Sequence, residues 1–237
     1  MSELPGNLCA VSRCYRAETG RQGEEKGLYR VHQFTKVEMF CLTEGSLEAS
    51  SEALERIHGV ERELFTGLGL SYRVLDMCGE ELGDPAREKR DVEAWLPGRG
   101  MWGEVSSCSN CGDFQARRLG VRDERGRHCH TVNGTACAVP RMIIAICEQN
   151  QLENGSVTIP EVLRPYMRDR EVMEPKPRKQ RMNFTYINSA NYFEKNKNLS
   201  EFYLENQVML FMTKCQQLQQ QRQQHPLPLH QPRPPCL

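Results

Sequence analysis

The chain has 237 residues, 38% hydrophobic, 7% aromatic and 26% charged, which excludes full disorder but leaves a lean core. Lys and Arg together number 31, as do Asp and Glu, so no global positive field exists to collect phosphates, and an electrostatic sponge for nucleic acid is excluded. The balance hides two unlike segments: residues 1–174 carry 22 basic against 28 acidic side chains, and 175–237 carry nine against three.

The 11 cysteines form an odd, scattered count in a chain too long for a disulfide miniprotein, so reduced thiols in an intracellular compartment are expected. Met1-Ser2-Glu3-Leu4-Pro5-Gly6 shows neither a charged-then-apolar signal pattern nor an Arg/Ser-rich transit composition. No run nears the roughly 18–20 apolar residues that cross a bilayer, and no membrane partner is expected.

In chain order, segments 8–17 and 28–40 read as strands joined by a charged, glycine-rich loop over 18–27. In the second strand Val31, Gln33, Thr35 and Val37 alternate with Arg30, His32, Phe34, Lys36 and Glu38. The latter set suits the floor of a ligand site better than a structural face. Phe34 offers a flat platform for a base, and Glu38 a fixed acceptor. At the end of the first strand, Arg16 can grip a phosphate or carboxylate bidentately, with Glu18 projecting from the same face.

Residues 46–68 predict an amphipathic helix, N-capped by Ser46, with Leu54, Ile57, Val60, Leu64 and Leu68 at helical spacing and Gly67 and Gly69 stopping it. Strands are expected over 71–77, 90–96 and 103–109, and again over 128–135 after a polar hairpin at 122–127. A helix over 139–150 admits Pro140 in its first turn. Its run Met142 to Cys147 is apolar all round and predicts burial between a sheet and another layer. A short helix over 160–167 closes the ordered part, giving an α+β class with a mostly antiparallel sheet. From Pro175 onward the chain turns basic, then Asn-rich, then Gln- and Pro-rich, so a core over 1–174 and a largely disordered tail over 175–237 are expected.

Two further clusters carry chemistry. Glu104 and Ser107 could share a magnesium ion with triphosphate oxygens; a small-residue strand packed closely on a neighbour fits these residues equally well. Between His130 and Arg141 a glycine-containing turn runs into a helix that opens with Pro140 and Arg141. A helix N-terminus attracts anions, and phosphate binding explains an Arg otherwise unfavourable with the dipole. Cys108-x-x-Cys111 with His128 and His130 meets only half of a zinc ligand spacing, so packed free thiols are expected instead.

Taken in order, these segments closely resemble the class II seryl-tRNA synthetases over roughly residues 4–174. CYRAETG and GLYRVHQFTKVEMF resemble that family's motif 2 hairpin, GRGMWGEVSSCSNCGDFQARR its ATP and serine region, and HTVNGTACAVPRMIIAICEQNQ its motif 3. The wording around AVPR is similar to the animal mitochondrial branch. The resemblance implies ATP and magnesium as cofactors, with serine, tRNA(Ser) and a second copy of the chain as partners. It also implies a mitochondrial location, with the cytoplasm as runner-up.

By the same resemblance, Arg16 would bind the α-phosphate and the serine carboxylate, and Glu18 the adenine edge, with Ala17 beside them. Val31, His32, Gln33 and Phe34 would line the adenosine pocket. Glu104 and Ser107 would hold magnesium, flanked by Val105 and Ser106 in the ATP site. Arg141 would hold the γ-phosphate, while Glu38, Asn133 and Thr135 recognise serine. Such chemistry rests on positioning and charge neutralisation and needs no catalytic base. The match starts almost at motif 2. The helical tRNA arm, motif 1 and the loop that holds the serine amine have no counterpart, so an incomplete catalytic domain is expected, binding ATP–magnesium better than serine or tRNA. The alternative is a non-catalytic product that keeps an ATP site or acts only through a full-length partner.

Overall fold

The computed structural model describes residues 4–17 and 27–175. Glu18, most of the expected 18–27 loop and the tail from 176 lie outside the described residues.

Strand β1 (Gly6–Tyr15) runs antiparallel to β2 (Gln33–Thr43) in continuous register from Gly6↔Leu42 to Tyr15↔Gln33. The expected strand over 28–40 divides. Its first residues form a 3-10 turn, Gly27–Tyr29, because Tyr29 turns inward and is buried in the core. From Val37 onward β2 alternates as its sequence predicts, burying Val37, Met39, Cys41 and Thr43 and leaving Glu38 and Phe40 half-buried on the opposite face.

Helix α1 (Leu47–Gly67) starts at Ser46, whose hydroxyl accepts from the Ala49 amide at 3.2 Å. It stops where Leu68 caps it and Gly69 takes φ +70°, a left-handed turn that glycine adopts without strain. Its apolar stripe buries Ala53, Leu54, Ile57, Leu64 and Phe65. Burial of Leu54 and Phe65 contributes about 2–3 kcal/mol each.

Strands β3 (Tyr72–Asp76), β4 (Glu88–Leu96), β5 (Met101–Asn110) and β6 (His130–Ala138) complete a six-stranded sheet of order β1-β2-β6-β5-β4-β3. Every pairing in it is antiparallel. Helix α2 (Phe114–Leu119) and a small hairpin of β7 (Val157–Thr158) and β8 (Val172–Met173) carry no strong sequence period. The expected helix at 160–167 forms as a 3-10 helix, Glu161–Met167, with Pro165 inside it.

Helix α3 (Val139–Gln149) starts directly from β6, with Pro140 in its first turn. It is not enclosed on all sides. Met142, Ile144 and Ala145 are buried in the core, whereas Ile143, Ile146 and Cys147 are only half-buried. The sheet supplies one apolar layer, and the other side of α3 stays partly open. Among the described residues, no helix is long and apolar enough to cross a membrane.

Candidate active site

Two irregularities in the ladders decide what the site presents. Between β4 and β5 the pairing passes from Val92↔Ser106 to Glu93↔Glu104, so Val105 is an extra residue in β5. Residues three apart on a regular strand point to opposite faces. The bulge cancels that parity: Val105 and Ser106 are both buried, and Glu104 and Ser107 both remain half-buried on the other face. A second bulge makes Ala136 extra in β6, where Val37 pairs with Cys137 and Glu38 with Thr135.

Arg141 is brought to Glu104 from the first turn of α3. Its guanidinium donates to the Glu104 carbonyl at 3.0 Å, the Glu104 carboxylate at 3.2 Å and the Tyr29 carbonyl at 3.3 Å, and lies 4.6 Å from the Tyr29 ring centroid. The Tyr29 hydroxyl donates to the Glu104 carbonyl at 3.3 Å. Gly103 makes room for this packing, since a Cβ there would fall 2.6 Å from Leu96 Cδ1 and 3.0 Å from the Tyr29 ring.

On the opposite wall the Arg16 guanidinium stands 5.5 Å from the Phe34 ring, and its amide donates to the His32 carbonyl at 2.8 Å. Arg16, Val31, Phe34, Glu104, Ser107 and Arg141 border one cleft. Arg16, Glu104 and Arg141 therefore converge, as their expected roles require. Val105 and Ser106 also border it, but their side chains turn inward. Ala17, His32 and Gln33 are exposed along the β1–β2 hairpin and do not line the cleft. The His32 imidazole instead meets the Arg16 carbonyl at 3.2 Å.

Glu38 anchors a polar cluster next to that cleft. It accepts from Asn133 Nδ2 at 3.1 Å and Thr135 Oγ1 at 3.0 Å, and pairs with Lys36 Nζ at 2.6 Å. Thr135 also borders the cleft and so joins the two groups. The expected trio of Glu38, Asn133 and Thr135 is thus one hydrogen-bonded unit.

Three contributors escaped the sequence reading. Tyr29 is the floor under Arg141. Asp91 lies across the ladder from Ser107; burial, and secondarily the Glu104 charge, push its carboxyl above the usual range, while Lys89 at 2.7 Å opposes them. Glu61 of α1 lies beneath the sheet and reaches Ser106. A tyrosine in a glycine-flanked turn, or an acid midway along an amphipathic helix, carries no local signal of such a role. The Cys108–Cys111 pair does not face a common centre: Cys108 faces Glu61 and His58, and the Cys111 thiol lies 3.7 Å from Asn133 Oδ1.

Residues 1–150 match the family model described as "tRNA synthetase class II core domain (G, H, P, S and T)". The chain belongs to the class II tRNA synthetase core family. Within it, the chain is 52% identical over 177 residues to the mitochondrial serine–tRNA ligase of Mus musculus, covering 73% of this chain and 34% of that one. It is 51% identical over 177 residues to the serine–tRNA ligase of Rubrobacter xylanophilus, covering 73% and 41%. The fold superposes on seryl-tRNA synthetase from Pyrococcus horikoshii complexed with ATP, with TM-score 0.69 and 44% identity over 73% of this chain and 40% of that chain. The class II core described here thus spans about a third to two-fifths of the length of these relatives.

Proposed function

We propose that this chain carries the activation site of a serine–tRNA ligase: ATP-dependent formation of seryl-adenylate, then transfer of the seryl group to tRNA(Ser). The observation that carries this reading is the convergence of Arg16, Phe34, Glu104 and Arg141 on one cleft beside the Glu38–Thr135 unit. Phe34 stacks on adenine, Arg16 neutralises the α-phosphate and the serine carboxylate, and Arg141 holds the γ-phosphate. A serine carboxylate oxygen forms its bond to the α-phosphorus in line as the bond to the β-phosphate oxygen breaks and pyrophosphate leaves. A terminal ribose hydroxyl of the tRNA then takes the acyl carbon, and AMP leaves.

Glu104 and Ser107 suit magnesium, because the Val105 bulge aims a carboxylate and a hydroxyl to the same side, and oxygen donors fit a hard cation. When bound, the ion supplies positive charge against the triphosphate. Without it Arg141 already balances Glu104 at 3.2 Å. Glu38 and Thr135 select serine by its hydroxyl, which can join their hydrogen-bonded pair and which alanine lacks, a stronger discrimination than an apolar pocket achieves.

The unit that carries this chemistry is 1–174. Its partners are serine, tRNA(Ser) and a second copy of the chain, for which edge strand β1 offers exposed Leu8, Val11 and Tyr15. Mitochondria are the favoured compartment, on the similarity to the mouse enzyme. Serine-dependent ATP–pyrophosphate exchange tests the reading. Label entering ATP with serine but not with alanine supports it; exchange independent of serine overturns it.

A further inference from the structure

The ladder between β5 and β6 runs from Cys108↔Gly134 to Asn110↔Val132, and backbone bonds joining Thr131 to Cys111 and Gly112 continue it at the far end. Beyond Cys108 and Gly134 they part, and the cleft opens between Glu104–Ser107 on one side and Thr135 and Ala138 on the other. Among the described residues the ladder register does not span this fork. A side chain does: Ser106 Oγ lies within hydrogen-bond distance of both the Thr135 carbonyl and Glu61 Oε1, the latter at 3.0 Å.

Glu61 is fully buried, with His58 Nδ1 at 3.3 Å from Oε2 and the Cys108 thiol beside it. Gly134 sits directly on this group, since a Cβ there would fall 2.3 Å from Ile57 Cγ2 and 2.9 Å from Glu61 Oε1. Helix α1 therefore touches the sheet at the base of the fork.

Counting hydrogens fixes the state of the junction. The Thr135 carbonyl only accepts, and the Ser106 hydroxyl has one hydrogen to give. If that hydrogen goes to Thr135, the contact with Glu61 needs a hydrogen from the carboxyl group. Oε2 then accepts from His58 Nδ1–H, and the Cys108 thiol lies beside the same carboxyl group. Every polar atom named is satisfied and none is charged. The alternative, a carboxylate paired with an imidazolium, desolvates two charges inside an apolar core and leaves the Thr135 carbonyl facing a lone pair. Burial also pushes the Glu61 carboxyl above the usual carboxylate range, which agrees with the neutral form.

We propose that Glu61 is a positioning residue: as a neutral acid donating to Ser106, it pins the fork between β5 and β6 and sets the distance from Glu104 and Ser107 to Thr135. The functional consequence rests on the nucleotide-and-serine reading above; the mechanical one does not.

The test uses the full chain with Glu61→Gln, Glu61→Leu and Ser106→Ala, read first by amide hydrogen exchange without ligand. Glu61→Gln keeps both contacts, because its amide nitrogen donates to Ser106 and its oxygen accepts from His58. Exchange over 104–107 and 135–138 stays within about twofold of the unaltered chain. Glu61→Leu and Ser106→Ala speed exchange there by roughly five- to thirtyfold, as the loss of one or two buried hydrogen bonds implies, and leave β3 and α3 unchanged. Ser106→Ala reads the same link if Glu61→Leu fails to fold. A second readout is affinity for a non-hydrolysable seryl-adenylate analogue, lowered about tenfold or more by Ser106→Ala and held by Glu61→Gln. Glu61→Gln behaving like Glu61→Leu, or Ser106→Ala leaving both strand ends unchanged, overturns the proposal. Failure of the nucleotide reading shows separately, as no ATP–magnesium binding by the unaltered chain.

Discussion

Replacing Arg141 by alanine separates two roles that one side chain performs. The Arg141 side chain is only 16% exposed and donates to two backbone carbonyls, at 3.3 and 3.0 Å, with its guanidinium 4.6 Å from the Tyr29 ring. At about 1 kcal/mol for each hydrogen bond and about 1 for the cation–π contact, its removal costs roughly 3 kcal/mol of stability. The ion pair adds little, because the Glu104 side chain is 40% exposed and solvent screens it. A domain of this size should then melt roughly 6–12 °C lower. Loss of charge-assisted bonds to phosphate, at about 1.5–3 kcal/mol, should weaken ATP–magnesium binding roughly 10- to 150-fold. Thermal unfolding without ligand and calorimetric titration well below the melting point measure the two effects independently. Arg141→Lys should fall between, keeping charge but losing the fork. A lowered melting point with ATP affinity within about twofold of the unaltered chain would refute the phosphate role. An unchanged melting point would refute the tether to Tyr29 and Glu104.

Glu38→Ala should lower affinity for a seryl-adenylate analogue about tenfold or more while ATP–magnesium affinity holds, since Glu38 meets Asn133 and Thr135; calorimetry of both ligands checks this. Gly134→Ala should cost about 1–3 kcal/mol in denaturant unfolding, because its Cβ would overlap Ile57 of α1. Ser46→Ala should cost about 1 kcal/mol by the same measurement, through loss of the cap on the Ala49 amide.

Where periodicity and capping act locally, the fold is legible in the sequence. Ser46 and Gly69 bound α1 as expected, and the alternation from Val37 to Thr43 places the buried face of β2. The exceptions have non-local causes. Tyr29 is drawn inward by the space over Gly103 and by Arg141, which follows it by 112 residues, so the strand expected from 28 starts only at Gln33. The run Met142–Cys147 looks apolar all round, yet only the flank meeting the sheet is buried.

The site follows the same rule. Arg16, Phe34, Glu104 and Arg141 stand out by residue type and by resemblance, and the fold brings them together. How Glu104 and Ser107 come to share a face does not follow from their spacing of three; the bulge at Val105 supplies it, and bulges leave little trace in a sequence. Nor does Ser106 show which way its hydroxyl turns. It faces Glu61 across 45 residues of chain, a partnership that only tertiary packing creates.

The most direct test of the central claim compares a non-hydrolysable seryl-adenylate analogue with its alanyl counterpart, titrated calorimetrically into the same chain in the presence of magnesium. The two ligands share every adenine and phosphate contact and differ only in the hydroxyl that Glu38 and Thr135 are placed to read. The account predicts binding of both, with the seryl compound tighter by about tenfold or more. Equal affinities, or no binding of either, would contradict it.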